Sequence, residues 1–107
     1  MKATQRLLYP SWRDVVVFSP EGPKPQMLLE TDILVVVIVG LEAGQKISLH
    51  NAPASVFHIL EGSGWMIVNN ERLPVKQGAT VIVPDGGSRG VEAETKMVFL
   101  GAQAGKM

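Results

Sequence analysis

Five consecutive β-branched residues, 35–39, constrain this chain more than any other stretch. Two heavy atoms on each Cβ stiffen χ1 and crowd a helical turn, whereas a pleated surface accommodates them. The surrounding apolar run, 33–41, is nine residues long including Gly40. A membrane-crossing helix needs about twice that, so the run predicts a buried strand. Short stretches of similar character recur at 15–18, 27–29, 46–50, 56–60, 65–68, 72–75, 80–83 and 96–100. Turn chemistry separates them. Pro20, Gly22 and Pro23 enforce a loop, Asn69 and Asn70 suit a tight hairpin with positive φ, and Pro84, Asp85 and Gly86 stop the strand before them. Nine strands with turns every 8–12 residues predict an all-β sandwich or barrel, with Val35, Val37, Val39 and Ile59 buried.

At 107 residues the chain predicts one domain, with 1–30 as an arm and edge strands and 33–100 as the barrel core. Ten basic and ten acidic residues cancel, which argues against nucleic acid or an anionic membrane surface as a partner. The absence of cysteine excludes disulfides, thiolate metal sites and a cysteine nucleophile, and fits a reducing compartment. Met1, Lys2 and Ala3 lead into no apolar segment of the kind a signal peptide carries, so the expected location is cytoplasmic. The 85–87 stretch has no lysine and helix behind it, and reads as a turn rather than a phosphate loop.

Two glycine-framed blocks choose among the all-β architectures. The first runs from Gly44 to His50 and ends at Glu61, Gly62, Ser63 and Gly64. The second holds Gly78, Pro84 and Gly86. Together they resemble the paired motifs of the cupin family of small β-barrels. That resemblance covers roughly residues 33–100 and implies a double-stranded β-helix, a jelly-roll barrel of two antiparallel sheets. It also implies a homodimer, the common state of small single-domain members.

The departures from the family pattern bear on chemistry. Ala52 stands where a second histidine is usual, the glutamate position falls near Ser55, Arg89 takes the next histidine place and Ala93 the asparagine place. Of four usual metal ligands, His50 alone survives. The residues point the same way without the family, since two histidines and no cysteine offer a soft or borderline metal at most two nitrogen ligands. A guanidinium ~6 Å from a divalent ion would add a repulsion of about 5 kcal/mol at an effective dielectric near 20. If Arg89 pointed to solvent the metal would still lack ligands. The expectation is a metal-free site without cofactor.

What remains is a barrel mouth with an imidazole, a guanidinium and hydroxyls. Strand alternation puts Ser48 and His50 on one face and Ile47 and Leu49 on the other. Arg89 enters from the next layer, Ser55 lies nearby, and Phe57 and Trp65 are candidate apolar walls. Such a pocket suits a small molecule bearing a carboxylate or phosphate, which the guanidinium fork can grip. His58 faces away from Phe57 and Ile59 and stays out of the site. An alternative is a metal-free isomerase or epimerase with His50 as base and Arg89 stabilising an oxyanion. A further one is an oxygenase-type metal enzyme with unusual ligands. Tyr9, Pro10 and Trp12 lie in an arm that packs across a partner subunit or lids its own barrel.

Overall fold

The structure is a computed structural model that describes residues 4–105, so the reading of Met1, Lys2 and Ala3 lies outside the described residues. Nine strands follow a short 3-10 turn at Trp12–Asp14: β1 Lys24–Glu30, β2 Leu34–Leu41, β3 Lys46–Asn51, β4 Ser55–Glu61, β5 Ser63–Val68, β6 Glu71–Lys76, β7 Thr80–Val83, β8 Ser88–Ala93 and β9 Met97–Ala104. They form a five-stranded sheet in the order β1-β2-β9-β4-β7 and a four-stranded sheet in the order β3-β8-β5-β6. All named pairs are antiparallel. This is the expected jelly roll of two packed sheets. No helix among the described residues is long and apolar enough to cross a membrane.

The sheets close on an apolar core. Leu41, Ile59, Met66, Val83 and Met97 are fully buried, and Phe57 meets Phe99 edge-on with ring centroids 5.6 Å apart. Val39 and Ile59 are buried as expected, but Val35 and Val37 are only half-buried. They line a cavity instead of packing into the centre.

Local chemistry sets the turns. Asn69 and Asn70 take φ of 48° and 71°, which joins β5 to β6 by a tight hairpin with Val68 opposite Glu71. Pro84 to Gly87 form a type II turn, with Gly86 at φ 76° and Gly87 N–H bonded to Pro84 O at 3.0 Å. At the corner between β4 and β5, Gly62 has φ 83°, and a Cβ there would fall 2.0 Å from Lys96 O.

One expected strand is missing and one unexpected strand appears. The 15–18 stretch is not a strand: the N–H groups of Val15 and Val16 both turn back to Trp12 O, and only a single bridge joins Val17 to Lys24. Ser11 caps the 3-10 turn by accepting from Arg13 N–H. Conversely, 88–93 forms β8, a strand inside its sheet, although Gly90 and the charges of Arg89 and Glu92 hide it in the sequence. The last strand also runs on past Leu100 to Ala104.

Candidate functional site in the barrel mouth

A cavity of about 250 Å³ lies between the two sheets. Val35, Val37 and Val39 of β2, Phe57 of β4 and Phe99 of β9 wall one side, and Ile47 and Val91 the other. His50, Arg89 and Gln103 provide its polar groups. At ~30 Å³ per water, it has room for about eight waters.

The expected alternation along β3 fails for an identifiable reason. Ile47 pairs with Val91 and His50 with Arg89, so β3 spends three residues where β8 spends two. This β-bulge shifts the side-chain parity by one. Ile47 and His50 therefore share the cavity face, while Ser48 does not line it and Leu49 is exposed. Ser48 contributes through its backbone: its carbonyl accepts from Nδ1 of His50 at 3.0 Å. That bond puts the proton of the neutral ring on Nδ1 and leaves the Nε2 lone pair free.

Trp65 is the other misplaced wall. On β5 it alternates with buried Gly64 and Met66, so its ring lies outside the barrel. There the Arg72 guanidinium sits 4.1 Å from the ring centroid and pairs with Glu92 at 2.8 Å. His58 is likewise outward, with Nδ1 2.9 Å from Thr80 Oγ1.

Arg89 points inward and is 2% exposed. Its Nε donates to Gly87 O at 3.2 Å, and Nη2 donates to Gly87 O at 2.9 Å and Ala52 O at 2.7 Å. Nη1 donates to Ser55 Oγ in a very short bond. Four of the five guanidinium N–H groups are thus committed to the loop before β4, to Ser55 at the start of β4 and to the turn before β8. Burial lowers the pKa below the usual arginine value, and the Asp85 carboxylate works in the opposite direction. Asp85 itself accepts from Ala54 N–H at 3.2 Å. Arg89 is then a buried cation with no carboxylate in contact among the described residues, and it also fastens the mouth.

Ser55 is 4% exposed, and its hydroxyl reaches Pro53 O at 2.9 Å and Gln103 Oε1 at 3.3 Å. Gln103 belongs to no motif, so motif reasoning does not reach it. Extending the alternation of Phe99 and Gly101 by two residues finds it on the cavity face.

The donor set does not fit the divalent metal that the resemblance would imply. His50 stands opposite a cation, Ala52 and Ala93 bring no donors, and no three His, Cys, Asp or Glu side chains come together among the described residues.

Trp12 does not lid the mouth. It sits with the arm over the outer face of the five-stranded sheet, along a hollow of about 670 Å³ lined by Leu28, Val36, Ile38, Leu60 and Leu100.

No family model and no curated protein matches the sequence. Solved structures do match the fold. An RmlC-like cupin from Desulfovibrio desulfuricans superposes with a TM-score of 0.78 at 23% identity, covering 100% of this chain and 99% of the other. A conserved protein with a double-stranded β-helix domain from Klebsiella pneumoniae gives 0.84 at 23% identity, covering 92% and 90%. A conserved protein of unknown function from Streptococcus pyogenes gives 0.83 at 20% identity, covering 99% and 92%. The chain has the cupin fold.

Proposed function

We propose that this protein binds a small, largely apolar molecule with an anionic group in the barrel mouth, without a metal. The observation that carries the reading is the ~250 Å³ cavity with aliphatic and aromatic walls and its polar groups gathered in His50, Arg89 and Gln103. Among the described residues this buried guanidinium contacts only carbonyls and a hydroxyl, and the Asp85 carboxylate acts on it without a direct hydrogen bond, so burial is not fully offset. An anionic ligand supplies the rest, and the remaining Nη1 N–H is available to it. The test is a thermal-shift comparison of benzoate with benzamide on the wild type. Benzoate should give the larger stabilisation, and only slightly less of it at high salt, because an enclosed pair is poorly screened. Equal shifts from the acid and the amide would refute the anionic preference.

A metal-free isomerase or epimerase is the second reading. The Nδ1 bond to Ser48 O favours it, since it leaves Nε2 of His50 as a base. It ranks below binding because an oxyanion would find a single uncommitted N–H on Arg89.

Assembly as a homodimer belongs to the same proposal. The arm presents Leu7 at 90% and Leu8 at 71% exposure, beside the apolar hollow on the outer sheet face. An exposed apolar knob and an unfilled apolar groove on one chain are what a two-fold axis matches twice.

A further inference from the structure

We infer that Gln103 selects the ligand's end group and that Ser55 positions Gln103, so the mouth favours a carboxylate with a hydrogen-bond donor on the adjacent carbon, as in a 2-hydroxy acid. This rests on the binding reading above. Ser55 Oγ already accepts from Arg89 Nη1, and its hydroxyl has one proton for two acceptors, Pro53 O at 2.9 Å and Gln103 Oε1 at 3.3 Å. The proton goes to the nearer carbonyl. One lone pair of Oγ then faces the Gln103 amide. A half-turn of that amide brings Nε2 to the lone pair as a donor and leaves Oε1 for the cavity, so every group is satisfied. The strand register fixes the relay, because Ser55 and Gln103 lie opposite each other between β4 and β9.

The mouth consequently offers two unlike groups, on two side chains that both hydrogen-bond to the Ser55 hydroxyl: the last N–H of Arg89 and, after the half-turn, the amide oxygen of Gln103. A carboxylate answers the first. The second repels a bare carboxylate oxygen and accepts from a neighbouring hydroxyl.

Mandelate and phenylacetate, which share a skeleton and differ by that hydroxyl, are the probes. By calorimetric titration the wild type should bind mandelate about three- to tenfold more tightly, the worth of one such bond. Gln103→Leu should remove the preference, weakening mandelate and leaving phenylacetate no weaker. Ser55→Ala should blunt it and Ser55→Thr restore it. Independently of any ligand, the Gln103 side-chain amide protons should exchange slowly with solvent in the wild type and in Ser55→Thr, and rapidly in Ser55→Ala. Equal affinity for the two acids would overturn the role of Gln103 and leave anion binding standing. A wild type that binds neither acid would remove both. Rapid amide exchange in the wild type would overturn the orientation.

Discussion

Arg89 shows how a residue can stand where its spacing predicts and still do something else. Its place relative to Gly78, Pro84 and Gly86 is legible in the sequence, and the resemblance puts it near His50, but its register opposite His50 comes from the structure alone. Its partners are not, because Ala52 O and Gly87 O are backbone atoms of irregular loops that no side-chain pattern encodes. Replacing Arg89 with Met keeps the apolar stem, leaves Gly87 O without its donor, and takes one hydrogen bond each from Ser55 Oγ and from Ala52 O, which retains the Gly86 N–H. At 1–3 kcal/mol for each buried group left unsatisfied, the loss should be roughly 3 kcal/mol, read as a lower urea midpoint with unchanged slope. Arg89→Lys should recover little of it, since an ammonium cannot span the same acceptors. A loss under ~0.5 kcal/mol would show that these bonds do not hold the mouth. At the neighbouring position, protein purified without chelator should carry well under one equivalent of Fe, Mn, Ni, Cu or Zn. Stoichiometric metal that disappears in His50→Ala would show that the donor set holds an ion after all.

Elements are most legible where one property dominates. The β-branched run at 35–39 announces β2, and the asparagine pair announces the β5–β6 hairpin with its positive φ values. β8 escapes because its place inside the sheet comes from neighbours on both sides and not from its own propensity. The bulge in β3 escapes for a related reason: it is a mismatch between two strands, and a single strand's alternation cannot report it. That is why alternation puts Ser48 in the cavity and Ile47 outside it, the reverse of what the fold does. Corners obey harder rules. At Gly62 any Cβ would collide with the Lys96 carbonyl at 2.0 Å in a backbone with φ 83°. Gly62→Ala should therefore cost at least ~3 kcal/mol, separating β4 from β5, and show as a large fall in melting temperature. A near-native melting temperature would mean that the corner yields more easily than its geometry implies.

At the scale of the molecule, the outer face of the five-stranded sheet is the surface on which the two-fold proposal rests. Light scattering at micromolar concentration should give twice the chain mass of 11.6 kDa, and Leu7→Glu with Leu8→Glu should return it to the monomer. A wild-type monomer would discard the two-fold proposal. The order of that sheet has a second effect, this one in time. β9, the ninth strand in sequence, lies between β2 and β4 and hydrogen-bonds to both. During synthesis β2 ends at Leu41 and its partner begins at Met97, 56 positions later. At 5–20 residues per second the ribosome needs about 3–11 s to make that stretch. Through that interval the valine-rich strand has an open edge that any other nascent β-segment can pair with. The five-stranded sheet cannot close before β9 emerges, and until then β2 keeps one edge without its native partner.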